Sequence, residues 1–186
     1  MSTSTSGFVG ETERGTSQPT LVASWAIYRR VFGGCLDRPP FATPNINLPN
    51  AVRGFFENGG QRQYVARVVG AAAQTATDAL PGADSDTTIR ASGPGAWGNR
   101  LRIPVAPASA ALGQPAGSTS PAAQWFRLRV LYDREPVPNP LVDPTDPEEL
   151  ANPARQAPDA FEDFDNLSHD STRPNYAMTN VNAASI

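Results

Sequence analysis

Apolar residues recur every third or fourth position in two early stretches and every second position further on. Trp25, Tyr28, Val31 and Phe32 fall on one helical face, and Ser24 ahead of them suits an N-cap. Gly33-Gly34 supplies a left-handed stop. Residues 35–48 read as a Pro-rich loop. Pro49 then suits the first turn of a second helix, with Ala51, Val52, Phe55 and Phe56 as its apolar stripe and Asn58-Gly59-Gly60 as its end. Gly7-Phe-Val-Gly10 predicts a short buried strand closing at a turn over Glu11 to Gly15. Tyr64 to Val69, rich in β-branched residues, predicts another.

Strand, helix, helix, strand is the pattern of a mixed α/β layer. Three more strands are expected over Thr87 to Ala91, Leu101 to Val105 and Trp125 to Tyr132. In the last, Phe126, Leu128, Val130 and Tyr132 alternate with Arg127 and Arg129, as in a half-exposed strand. Residues 107–121, rich in Ala, Ser, Gly and Pro, predict a long mobile hairpin loop. Residues 133–160 hold seven Pro, seven acidic residues and two Arg, a composition unable to order itself alone. The expected fold class is mixed α+β: a layered mixed sheet, two short N-terminal helices and long Pro/Ala-rich loops. Residues 1–186 are expected to form a single domain with mobile loops at 107–121 and 133–160.

Composition narrows the chemistry. The 15 Gly and 19 Pro among 186 residues stay below the roughly 25–30% that marks a disordered chain. All 15 basic residues are Arg. Without Lys there is no Schiff-base or P-loop chemistry, which excludes pyridoxal enzymes and Walker-type NTPases. One Cys cannot form an intramolecular disulfide or a cysteine-rich zinc site, and one His cannot build a multi-histidine centre. A net charge of −3 argues against general nucleic-acid binding, which needs clustered positive charge. Met1 to Ser6 lacks a signal-peptide pattern, and no apolar run approaches the roughly 18 residues of a membrane span. A soluble chain made in the cytoplasm is expected.

Four candidate sites give way to structural readings. Ser168, His169 and Asp170 are adjacent in sequence and so do not face one another as a catalytic triad would; a surface turn is expected. Cys35 has no nearby His to activate it and reads as a semi-buried structural thiol. Asp84-Ser85-Asp86 and Asp143 to Glu149 lack the alternating ligands and closing Glu of an EF-hand. Gly93-Pro-Gly-Ala-Trp-Gly-Asn99 opens onto a strand, so it offers a phosphate no helix N-terminus. A tight turn anchored by a buried Trp97 is expected. No catalytic, cofactor-binding or metal-binding residue is assigned.

Several segments together resemble the sheath proteins of contractile phage tails and related contractile injection systems. Gly7-Phe-Val-Gly-Glu-Thr-Glu-Arg-Gly15 resembles the family's opening strand and turn. Ser24-Trp25 through Phe32-Gly33-Gly34, Ala51-Val-Arg-Gly-Phe-Phe-Glu-Asn-Gly-Gly60 and Tyr64-Val-Ala-Arg-Val68 continue the match. The most specific piece is Ala91-Ser-Gly-Pro-Gly-Ala-Trp-Gly-Asn-Arg-Leu101, which is similar to the family's PGxWGN turn entering a strand. Phe161-Glu-Asp-Phe-Asp-Asn-Leu-Ser168 resembles the family's ExFxNLS strand. Tyr176, Val181-Asn182 and Ser185-Ile186 resemble the family's next segment.

The resemblance implies a structural subunit and no enzyme: a rigid α/β body in a helical lattice of its own copies around an inner tube protein, meeting baseplate and terminator proteins. It implies no cofactor, no nucleic acid and no membrane partner. Such subunits donate extended arms into neighbouring sheets, and the lattice shortens by collective rigid-body rearrangement. Assembly is expected in the bacterial cytoplasm, in a phage virion tail or an extracellular or cell-anchored injection particle. Family members carry an N-terminal arm strand before the opening segment and a C-terminal domain after the last match. The chain is accordingly expected to be a fragment of a longer sheath protein or a short variant. The alternative is a non-enzymatic binding, capping or decoration module on the same fold, with residues 107–121 and 133–160 as contact elements. A hydrolase using His169 or Cys35 is the third reading.

Overall fold

The computed structural model describes residues 5–36, 46–79, 88–135, 142–144 and 146–185. Asp84, Ser85 and Asp86 lie outside them. The fold is mixed α+β, as expected. The chain divides into two compact units, one formed by residues up to Asp78 with Thr88–Asn99 and the other chiefly by Arg100–Ser185.

In the first unit β1 (Thr5–Gly10), β2 (Thr20–Val22) and β3 (Arg62–Arg67) form a sheet in the order β1-β3-β2. β1 runs parallel to β3, pairing Phe8 with Val65, and β2 runs antiparallel to it, pairing Leu21 with Tyr64. A parallel pair needs a long crossover, and α1 (Trp25–Phe32) and α2 (Asn47–Glu57) lie within it. Ser24 caps α1 by accepting from the Ile27 N–H at 3.1 Å. Gly33 stops it at φ 81°, where a Cβ would also lie 2.4 Å from the Glu13 carboxylate. One sheet face and the two helices bury Val22, Tyr28, Val31, Phe32, Leu48, Val52 and Val65, with Phe8, Trp25 and Phe56 packed around them. Trp25 stacks on Tyr28 with centroids 5.2 Å apart.

Three details differ from the expectation. β1 is an edge strand, not a buried one, because only alternate residues face the helices; Val9 is 71% exposed. α2 begins two residues before Pro49, and Leu48 and Pro49 take the buried place given to Ala51, which is exposed. β3 starts at Arg62 instead of Tyr64. β4 (Thr77–Ala79) pairs with β5 (Thr88–Arg90) as a two-stranded ribbon; of the two, the sequence pattern predicts only β5.

The second unit is built on β8 (Phe126–Tyr132). β9 (Ala160–Leu167) runs antiparallel along one side of it. On the other side lie β6 (Leu101–Arg102) and β7 (Val105–Pro107), which share one register with β8. They replace the single strand expected over Leu101 to Val105, because Pro104 has no N–H to give the ladder. Its carbonyl still accepts from Arg129 N. The expected alternation along β8 breaks at Leu131, which is fully buried while Val130 is half-buried. Both faces of this strand are covered near its end, so period two no longer marks a single buried side.

The stretch 107–121 does join adjacent antiparallel strands, but it carries α3 (Ser109–Leu112) and leads into a 3-10 turn over Pro121–Gln124. A β-bulge explains its anchorage. Phe126 pairs with Leu167 and Leu128 with Phe164, leaving Asp165 and Asn166 opposite Arg127 alone, with Asn166 at φ 57°. The bulge turns both side chains toward α3: Asp165 accepts from Ser109 N and Oγ, and Asn166 Oδ1 from Ala110 N at 3.0 Å. Among the described residues, 133–160 hold one 3-10 turn (Pro147–Glu149) capped by Asp146. Their ends are tied together by Arg134 N donating to Asp159 Oδ2 at 2.7 Å. α4 (Ala177–Ala184) follows β9; its Ala-rich sequence gives no clear periodic apolar stripe. Among the described residues no helix is long and apolar enough to cross a membrane.

Candidate functional site

The glycine-rich segment 93–99 is a closely packed turn of the first unit. Ala96–Arg100 forms a 3-10 turn that buries Trp97 to 6% exposure, and the Trp97 indole donates to Pro94 O at 3.1 Å. The expected Trp-anchored turn is present. Gly93 sits where a Cβ would come 2.3 Å from Gly15 O, so any larger residue would push the two backbones apart. Arg67, at the end of β3, donates from Nη1 to both Gly15 O at 3.1 Å and Pro94 O at 2.6 Å. Its Nε is buried with no partner among the described residues, and burial lowers the guanidinium pKa from its ordinary value. Three distant stretches, around residues 15, 67 and 94, therefore meet at one cation held by backbone carbonyls.

The opposite face of the same sheet, away from the helices, is open. Leu21 and Tyr64 pair across β2 and β3 and are 40% and 44% exposed; Val9 lies on the same face of β1, where a Cβ on Gly7 would meet nothing within 4 Å. No described strand pairs with the outer side of β1. An edge with alternate apolar residues facing solvent is a template for strand addition.

The residues weighed for chemistry do not assemble into a catalytic centre among those described. Ser168 Oγ accepts from Asp170 N at 3.1 Å. Asp170 spends one carboxylate oxygen on Thr172 and the other on Arg173 Nε, and these bonds hold its pKa below the usual carboxylate range. His169 bonds to neither neighbour; its ring stacks on Phe126 with centroids 4.3 Å apart. The surface turn expected there is what the chain forms. Cys35 is half-buried and free. In Asp143 to Glu149 the carboxylates are engaged separately: Asp143 with Arg129, Asp146 with Glu148 N, Glu149 with Asn152. No group of three metal-ligating side chains occurs among the described residues. Arg127 is paired with Asp163 across β8 and β9.

Two features lie beyond the reach of sequence reasoning. One is the buried Arg102–Asp133 pair, whose only sequence signal is an Arg set between Leu101 and Ile103. The other is an open cleft of about 400 Å³ in the second unit, between Thr119–Trp125 and Ser168–Arg173. Both walls are fixed by backbone bonds, Ala108 N to Trp125 O on one side and Ser168 N to Asn175 O on the other. No protein-family model matches the chain, and no curated protein matches it.

Proposed function

We propose that the chain is a structural subunit of the contractile sheath around the inner tube of a phage tail or contractile injection system. The observation that carries this reading is the meeting of Gly7–Gly15 with Ala91–Leu101, the opening and the most specific of the sheath-like segments, through Gly93 and Arg67. Residues 76 or more apart in sequence that resemble the same family thus make one structural knot, as segments of one ancestral fold would. The open edge of β1 gives a neighbouring copy a place to add a strand. The role needs a stiff body and exposed edges, and no catalysis. Its partners are other copies in a helical lattice, the inner tube protein and the baseplate and terminator proteins, assembled in a bacterial cytoplasm.

Co-expression of the native gene product with its inner tube protein tests this. Sedimentation followed by negative-stain imaging is expected to find the chain in pelleted tubes, and a product that stays in the soluble fraction would sink the proposal. The second reading, a binding, capping or decoration module, draws on the cleft beside residues 119–125. Deleting residues 110–118 should abolish partner capture under that reading and spare tube formation under the first.

A further inference from the structure

The cleft of the second unit offers hydrogen-bond donors that no described residue uses. Arg173 is fixed by its Nε to Asp170 at 3.1 Å, and its terminal nitrogens have no partner among the described residues. Its side chain is 38% exposed. The His169 ring is held parallel to Phe126, 23° between planes, with neither ring nitrogen bonded to a described residue. Trp125 supplies an aromatic wall and Gln124 a side-chain amide beside it. At the His169 end of the cleft the carboxylate and hydroxyl oxygens are already engaged. Asp170 gives both oxygens to Thr172 and Arg173, and Ser168 Oγ takes Asp170 N.

We propose that this cleft binds a peptide carboxylate, held by the Arg173 terminal nitrogens and the His169 ring against the Trp125 wall. A guanidinium with two free N–H groups matches the two oxygens of a carboxylate. Fixing Arg173 at Nε and His169 on Phe126 removes part of the ordering cost that a flexible surface Arg would carry. Asp170 stands beside the donors and leaves the cleft close to neutral once Arg173 is counted. With the chain itself at −3, a polyphosphate would be repelled where a single carboxylate is accepted. The carboxylate comes from an acidic side chain or from a chain terminus. The site stands independently of whether the chain builds a lattice.

The test is a titration of the full chain followed by ¹H–¹⁵N NMR, with three short peptides as probes. One is a Pro/Glu peptide blocked at both ends, the second its blocked Pro/Gln counterpart, and the third the Pro/Gln peptide with a free C-terminus. Saturable shifts at the Trp125 indole, Arg173 and His169 are expected with the first or the third, and which of them responds identifies the source. The blocked Pro/Gln peptide should bind at least roughly tenfold more weakly. Arg173→Gln should weaken the responding peptide by a similar factor, while Arg53→Gln on α2 should leave it unchanged. Equal binding of all three peptides, no saturable shift with any peptide, or tighter binding of inorganic phosphate would each overturn the proposal. The comparison of the three peptides on the unmutated chain decides even if Arg173→Gln fails to fold.

Discussion

Arg102 places its Nε 2.9 Å from Asp133 Oδ2, with 6% of one side chain and none of the other exposed. Arg102 also reaches across the second unit to donate from Nη1 to Val142 O at 2.8 Å. One guanidinium thereby joins β6, the end of β8 and the start of the acidic Pro-rich stretch. At Val142, 6% exposed, this bond anchors one described part of that stretch to the rest of the second unit.

Asp133→Ala is expected to cost about 3–5 kcal/mol, because it strands a buried cation. The double variant Arg102→Met, Asp133→Leu is expected to recover most of that loss. Urea denaturation of the two proteins checks both numbers, and equal stabilities would disprove the stranded-charge account.

Gly93→Ala and Gly7→Ala are chemically the same change with opposite expectations. At Gly93 the new methyl would meet backbone oxygen at 2.3 Å, so a loss of about 1–3 kcal/mol is expected. Gly7 faces open space in an extended strand, and a change within about 0.5 kcal/mol is expected. Thermal melts of both variants make the comparison.

Tyr28 is fully buried and its hydroxyl has no hydrogen-bond partner among the described residues. Burial, with Cys35 and Glu13 nearby, pushes its pKa up from the ordinary phenol value. Removing an unpaired buried hydroxyl recovers its desolvation cost. Tyr28→Phe should therefore match or exceed the wild type by up to about 1 kcal/mol. A clear loss of stability would mean that the hydroxyl has a partner, such as a bound water.

The hydrogen bond from Arg127, outweighing desolvation, lowers the Asp163 pKa from its usual carboxylate value. A carboxyl held low in the folded state stabilises the fold above its unfolded value of about 3.9 and ceases to do so as pH falls through the folded value. The pair is partly exposed, so the contribution is expected below about 1 kcal/mol. Asp163→Asn should be less stable than the wild type at pH 6, with the gap closing below about pH 4. A gap that persists once Asp163 is protonated in the folded state would mean that the pairing is not its source.

The helices of the first unit are legible because their signals are local: Ser24 before an apolar stripe, Gly33 after it, Pro49 in a first turn. β2 is not, since three residues carry no measurable period. The alternation along β8 fails at Leu131 because neighbouring elements cover both sides there, which no one-strand pattern encodes. Nothing local marks Arg67 as half-buried, and only its apolar neighbours mark Arg102 as buried. What holds them is the arrival of carbonyls from residues 15, 94 and 142, and those contacts are distant in sequence. The cleft likewise joins segments more than 40 residues apart. Its His169 end alone carries a sequence signal, a run of three polar residues, Ser168 to Asp170.

The knot at Arg67 also has a bearing on synthesis. β1 pairs with β3 in parallel, so its first strand waits for residue 67, and the carbonyl of Pro94 must then close over Arg67. A nascent chain that has emerged only as far as β3 holds a desolvated cation short of one acceptor and a sheet short of its lock. Non-local closure of this kind is slow. The first unit is thus expected to become protease-resistant on the ribosome only after residue 100 is out, in one step instead of strand by strand.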